Sequence, residues 1–323
     1  MDTTFSLLGL TGHAYGLCAS LAALCLLIGM RVSGRDRLPE GTIAVFGALG
    51  IVLGVLGARL LYCLCNLTTF TQTYENPWLM LRFFDGGFSL PGLIAGLCLA
   101  AVLTARLLRA RASDVLDAAC VPAGLALAVL RFGERFTDLG VGKAVQEGFA
   151  TAHFPWLFAT SRMGVAVEYR LNVWAYEAAA GLILFALTLL ARRALKHRSG
   201  DTALFFALLF GSSQILLESM RDDGHMLLIF LRVGQLGAAV LPLWACAVLC
   251  RRAGALRRVV TWTAVALCVL AVVLLEFSLD GRLTVGTPSL ARDYGIMAAA
   301  CAALFAVPGS LLLLPDPRKD GNE

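Results

Sequence analysis

Charge is what this sequence has least of. Asp, Glu, Lys and Arg make up only 15% of its 323 residues, against 59% hydrophobic ones, where a soluble domain carries roughly a quarter charged residues. That deficit excludes a disordered chain and an ordinary cytosolic enzyme. Apolar–polar alternation is missing too, which excludes an outer-membrane barrel. The net charge of +5 is spread over short clusters between apolar runs. No continuous basic patch results, so no nucleic-acid partner is expected.

Motifs of soluble catalysis are also absent. The four histidines, His13, His153, His197 and His225, have no paired spacing, and the ten cysteines form no C-x-x-C. Neither an H-E-x-x-H, a Walker sequence nor a G-x-S-x-G occurs, and no metal or cofactor is called for. The cysteines lie within or at the ends of apolar runs and read as small hydrophobes. The first apolar run follows no basic n-region and precedes no cleavage pattern, so it reads as a retained helix. No internal repeat is evident.

Apolar length is what the sequence does have. A membrane-crossing helix needs about 20 mostly apolar residues, and in hydrocarbon such a run satisfies its backbone only as a helix. Runs at 14–30, 41–65, 88–108, 115–132, 173–191, 203–219, 228–250, 259–278 and 295–314 predict an all-α polytopic membrane helix bundle. Sixteen lysines and arginines cluster on one side, at 31–37, 106–111, 192–198, 251–258 and 318–319, and eight on the other. By the positive-inside rule this sets the N-terminus outside and the C-terminus in the cytoplasm. The segment at about 133–172 lies outside and reads as a small extracytoplasmic subdomain or a lid.

Polar residues inside the runs collect at their outer ends. Tyr15 opens the first run, and Arg59 and Tyr62 lie near the end of the second. Arg131 closes the fourth, and Tyr176 and Glu177 open the fifth. Gln214 and Glu218 approach the end of the sixth, Arg221 lies just beyond, and Arg232 begins the seventh. Ionisable groups in a bilayer usually face an interior or a cavity. Bland readings stand beside each. Arg59 snorkels to the interface, Arg131 is an interfacial anchor with Glu134 and Arg135, and Glu218 and Arg221 form a local i,i+3 pair. Tyr15, Trp78, Trp156 and Trp174 belong to the aromatic belt. Asp114 and Asp117, on the inner side, are expected to be satisfied by the arginines at 106–111. The sharper expectation is that Arg59, Arg131 and Glu218 converge on a cavity opening toward the outer leaflet. There a guanidinium fork suits a phosphate and a carboxylate suits a base.

At these residues the sequence resembles the bacterial prolipoprotein diacylglyceryl transferase family. Ala14-Tyr15-Gly16-Leu17 and Gly57-Ala58-Arg59-Leu60-Leu61-Tyr62 match its first-helix tyrosine-glycine motif and its G-x-R-x-x-Y stretch. Tyr74-Glu75-Asn76-Pro77 and Asp85-Gly86-Gly87-Phe88-Ser89 resemble the loop and Gly-Gly turn before its third helix. Arg131-Phe132-Gly133-Glu134-Arg135-Phe136 sits where the signature reads G-R-x-G-N-F. Ala175-Tyr176-Glu177, Leu217-Glu218-Ser219-Met220-Arg221-Asp222-Asp223 and Gln235-Leu236-Gly237 follow in order. Pro91, Glu134, Leu139 and Gln214 depart from the family pattern.

The resemblance implies a seven-helix transferase-like domain over 1–255, with two additional helices and a short tail over 256–323. It implies a phosphatidylglycerol substrate and the signal peptide of a prolipoprotein as partner. Glu218 and Tyr15 are then catalytic, and Arg131, Arg59, Gly86, Gly87, Tyr176, Glu177 and Arg221 bind substrate. Two alternatives stay open: a non-catalytic relative that binds anionic phospholipid or a membrane partner, and a small-solute transporter. The one-sided placement of polar groups disfavours the transporter.

Overall fold

The computed structural model describes residues 4–7, 10–74, 76–83, 86–163, 166–195, 198–223, 226–228, 231–283 and 289–314. Glu75, Asp85, His197 and His225, named above, lie outside the described residues, as do Lys196, Arg318 and Lys319 of the basic clusters.

The chain opens with an antiparallel strand pair, β1 (Thr4–Leu7) and β2 (Leu10–His13). The long helices are α1 (Ala14–Gly34), α2 (Thr42–Cys65), α3 (Leu90–Leu107) and α4 (Ala112–Gly133). Strand β3 (Val141–Val145), the short helix α5 (Phe149–His153), β4 (Phe158–Met163) and β5 (Ala166–Asn172) follow. The second helical half holds α6 (Val173–Ala194), α7 (Asp201–Met220), the strand pair β6 (Leu227–Leu228) and β7 (Leu231–Arg232), α8 (Val233–Cys250), α9 (Ala255–Leu279) and α10 (Leu290–Gly309). Among the described residues, nine helices are long and apolar enough to cross a membrane. The fold is an all-α polytopic membrane bundle.

Strands β3, β5 and β4 form a three-stranded antiparallel sheet in that order, so the segment at 133–172 is a small ordered unit. Among the described residues, the strands lie at the end of the bundle where α1, α3, α6 and α8 begin, and the arginines at 31–37, 106–111 and 251–258 lie at the other.

Two contacts set the heights of the site-bearing helices. Asp117 of α4 accepts from the backbone nitrogens of Gly200 (2.7 Å) and Ala203 (2.8 Å) at the start of α7, answering donors that a helix N-terminus leaves unpaired. From that tie, Arg131 lies 14 residues along α4 and Glu218 lies 15 residues beyond Ala203. At 1.5 Å per residue both rise about 21–23 Å, so they reach the strand-bearing end level with each other. Asp114 accepts from Ser199 Oγ (2.6 Å). These two carboxylates therefore serve the 199–203 turn, whose backbone N–H groups and Ser199 hydroxyl lie within hydrogen-bond reach, rather than the exposed arginines at 106–111.

Helices α4 and α6 approach closely where glycine faces glycine. A Cβ on Gly124 would lie 2.5 Å from the backbone nitrogen of Phe185, and one on Gly181 would lie 2.7 Å from that of Ala128. Small residues at such crossings let backbones pack without side chains between them. This brings the α4 end carrying Arg131 against the α6 start carrying Glu177.

The ten cysteines are all free. Cys18, Cys63, Cys246, Cys250 and Cys301 are buried, but Cys98 is exposed on α3, so not all of them read as core residues.

Candidate functional site

Three guanidinium groups and four carboxylates interlock at the strand-bearing end. Arg131 pairs with Glu134 one turn on, with Glu177 of α6 at 3.2 Å and with Glu218 of α7 at 3.6 Å. Arg221, just past α7, pairs with Glu177 at 2.7 Å, Asp223 at 2.9 Å and Glu134 at 3.0 Å. Arg232 pairs with Asp223 and reaches Glu218 at 3.4 Å. Gln214 donates to Glu177 (2.6 Å) and Glu218 (3.3 Å), placing a neutral donor between two like charges. Every one of these ionic side chains is at most 9% exposed. Buried charges persist only when paired and hydrogen-bonded, and here each has two or more partners.

The sheet holds one corner of this cluster in place. Gly142 of β3 bridges to Arg221, the backbone nitrogen of Asp222 donates to Val141 O (2.9 Å), and that of Gly140 donates to Asp223 Oδ2 (3.2 Å). Burial alone would raise the Asp223 carboxyl. Arg221, Arg232 and the Gly140 N–H outweigh it and hold the group well below the usual carboxylate range. Burial works against the charge of Arg221, but the carboxylates of Glu177, Glu134, Glu218 and Asp223 prevail and raise its proton affinity.

Arg131 is the least satisfied member. Its Nη1 donates to Glu134, but Nε and Nη2, both buried, make no hydrogen bond. These two nitrogens form one edge of the planar fork, the edge that grips an oxyanion bidentately. Nη2 faces the Glu177 and Glu218 carboxylates at 3.2 and 3.6 Å, so this edge is held by charge while its hydrogen-bonding capacity is unused, and such buried donors are costly to leave unbonded.

Arg59 lies elsewhere. It is buried and donates to the carbonyls of Leu79 (2.9 Å), Met80 (3.0 Å), Gly86 and Gly87 (3.2 Å). It also stands over the rings of Tyr62 and Phe70 at 5.7 and 5.9 Å. It thus neither snorkels nor joins Arg131 and Glu218. The short 3-10 turn at Pro77–Leu81 and the Gly86-Gly87 stretch turn several carbonyls toward α2, and a five-donor fork can collect them. Gly86 and Gly87 supply carbonyls to that fork, and both have positive φ (75° and 73°).

Tyr176 donates its hydroxyl to Leu157 O (2.5 Å), tying α6 to the chain before β4. Tyr15 is half-buried and lies near the charges of Glu134, Arg131 and Arg221. Among the described residues its hydroxyl makes no hydrogen bond. Trp78 and Trp156 are 76% and 69% exposed. Trp174 packs on Phe132 (5.9 Å) with Arg135 over its ring (5.8 Å). Glu134, Gln214, Asp223 and Arg232 belong to the cluster without having been singled out as site residues. Their sequence signals were weak: an i,i+4 step from Gln214 to Glu218, and charges at run ends.

Residues 2–251 match the family described as Prolipoprotein diacylglyceryl transferase. The chain belongs to that family. It is 28% identical over 242 residues to the phosphatidylglycerol–prolipoprotein diacylglyceryl transferase of Streptococcus equi subsp. zooepidemicus (strain MGCS10565), covering 72% of this chain and 87% of that protein. Against the protein of the same name from Streptococcus pneumoniae (strain JJA) it is 28% identical over 230 residues, covering 70% and 84%. Family and relatives are diacylglyceryl transferases, which favours an enzyme over a passive lipid binder or a transporter. The whole charged cluster falls within the matched residues; α9 and α10 lie beyond them.

Proposed function

We propose that the protein transfers the diacylglyceryl group of phosphatidylglycerol to the lipobox cysteine of a prolipoprotein at the outer face of the plasma membrane. The N-terminus is then outside and the C-terminus cytoplasmic. What carries this reading is the buried Nε–Nη2 edge of Arg131, which makes no hydrogen bond and lies 3.2 Å from Glu177 and 3.6 Å from Glu218. A lipid phosphate supplies the missing acceptors, and the adjacent carboxylate takes the thiol proton. The thiolate attacks the terminal glyceryl carbon of the lipid, the carbon–oxygen bond to phosphate breaks, and glycerol phosphate leaves with the bonding electrons. Arg131 steadies that charge with Arg221 beside it, as fixed donors in a dry site do best.

Glu177 and Gln214 hold Arg131 and Glu218 in register, and Tyr15 closes the first-helix side. Arg59, Gly86 and Gly87 shape the entrance through the 79–87 loop, and Tyr176 fixes the external sheet over the site. Residues 1–255 form the transferase-like domain and 256–323 an addition to it. The prolipoprotein signal peptide is the protein partner.

The test is complementation of a transferase-depleted strain, scored by thioether lipidation of a reporter lipoprotein. Lipidation by the wild type and its loss in Glu218→Gln are expected; an unlipidated reporter at normal expression refutes the reading. Reporter fusions after Arg111 and Arg198 are expected to signal cytoplasm.

A further inference from the structure

The hairpin of α9 and α10 lies outside the family match, yet it makes two polar contacts with the helices that carry the charged cluster. Tyr294 of α10, buried, donates its hydroxyl to Ser219 O at 3.1 Å. Ser219 is the residue after Glu218, in the last turn of α7, where backbone carbonyls have no helical partner. Glu276, buried in the last turn of α9, accepts from Gln235 Nε2 at 2.6 Å. Gln235 stands in the first turn of α8, three residues after Arg232, and the same nitrogen reaches back to Ile215 O on α7 at 3.4 Å.

Apolar packing runs the length of the hairpin beneath these contacts. Met297, Cys301 and Leu304 share one buried core with Leu204, Leu208 and Ile215 of α7 and with Ala245 and Leu249 of α8. At the top, Ser278 donates to Asp293 (3.1 Å), which also pairs with Arg292 (3.0 Å). The end of α9 and the start of α10 are therefore tied to each other by a side-chain bond.

We infer that Tyr294 and Glu276 are positioning residues: the appended hairpin fixes the ends of α7 and α8 from which Glu218, Arg221 and Arg232 project. Apolar burial alone holds a helix against its neighbour but leaves its last turn free to fray. A hydroxyl on the Ser219 carbonyl and a carboxylate on the Gln235 amide pin those terminal turns. Placement matters because a shift near 1 Å in a reacting group costs up to about a hundredfold in rate.

For its effect on catalysis this inference rests on the proposed transferase activity, so the experiment has an arm that does not. Purified wild type, Tyr294→Phe, Glu276→Leu and Glu276→Gln are compared by amide hydrogen exchange and by phosphatidylglycerol-dependent transfer to a lipobox peptide. Tyr294→Phe and Glu276→Leu are expected to speed exchange over 215–223 about fivefold, the net worth of one hydrogen bond. Exchange in α1–α4 and the melting temperature stay at wild-type values. In the same variants kcat falls about tenfold with KM for lipid within about twofold. Glu276→Gln keeps the acceptor and restores both readouts. Wild-type exchange over 215–223 in Tyr294→Phe and Glu276→Leu overturns the inference whatever the activity. Absence of transfer by wild-type protein overturns the proposed function and leaves the exchange arm to decide this one.

Discussion

Glu218 occupies space that Gly234 leaves empty: a Cβ on Gly234 would lie 2.5 Å from the Glu218 carboxyl carbon. The first turn of α8 thus forms a wall of the charged cluster, and the absence of a side chain there is what admits the carboxylate.

Gly234→Ala is expected to fold and insert normally, since Ala is the better helix former by about 0.8–1 kcal/mol. The methyl group displaces the end of a flexible side chain, not backbone, so Glu218 moves. Lipidation of a reporter is expected to fall at least about tenfold at unchanged protein level. Full activity in this variant would show that Glu218 tolerates displacement and is not the base.

Arg59 makes a different kind of prediction, because its partners are carbonyls rather than carboxylates. Lysine cannot reproduce a fork that reaches Leu79, Met80, Gly86 and Gly87 at once. Arg59→Lys is expected to loosen residues 77–89 by about 1.5–3 kcal/mol, the scale for a charge-assisted bond. Amide exchange in that loop reads the change, with the 215–223 region unaffected.

The bond between sheet and cluster has a defined pH window. Asp223 titrates near 3.9 when unfolded and well below that when folded, because Arg221 and Arg232 overcome its burial. A lowered folded value contributes stability that is complete above the unfolded pKa and is lost as pH falls through the folded one. Exchange protection over 140–142 and 221–223 is therefore expected to be flat from pH 8 to about pH 4 and to weaken below it. Asp223→Asn should show reduced protection throughout the flat range.

The helical architecture was largely legible in the sequence, because apolar length dictates helices in a membrane. The errors fall where polar interactions move an end. The run at 228–250 begins as a helix only at Val233, since 227–232 contributes β6 and β7 and places Arg232 on Glu218. The run at 259–278 begins at Ala255, where Arg258 turns back to Cys250 O (3.2 Å) and so tolerates a charge in the first turn. Arg131, Glu177, Glu218 and Arg221 were recognisable as charges at one end of their runs, and they meet. Arg59 looked the same by depth and does not join them. Loop carbonyls carry no sequence signature, so a guanidinium satisfied by backbone is indistinguishable from one awaiting a ligand. Glu134 and Asp223 were hidden for the opposite reason: charges just past run ends read as solvated until a sheet folds over them.

Arg131 carries the most direct prediction. One nitrogen of its fork is committed to Glu134, while the Nε–Nη2 edge has no hydrogen-bonded acceptor. If a phosphate occupies that edge, binding needs two parallel donors at fixed spacing, which lysine lacks. Arg131→Lys is expected to weaken retention of phosphatidylglycerol in native mass spectrometry, and Arg131→Ala to weaken it more, by about 1.5–3 kcal/mol. Alanine also leaves Glu134, Glu177 and Glu218 with one counter-charge fewer, and removing one partner of a buried pair destabilises by about 3–5 kcal/mol. Lysine keeps that charge, so it separates the two effects. Reduced lipid retention in Arg131→Lys at an unchanged melting temperature assigns Arg131 to the headgroup. Equal retention by wild type and Arg131→Lys would make it a structural counter-ion for the three glutamates.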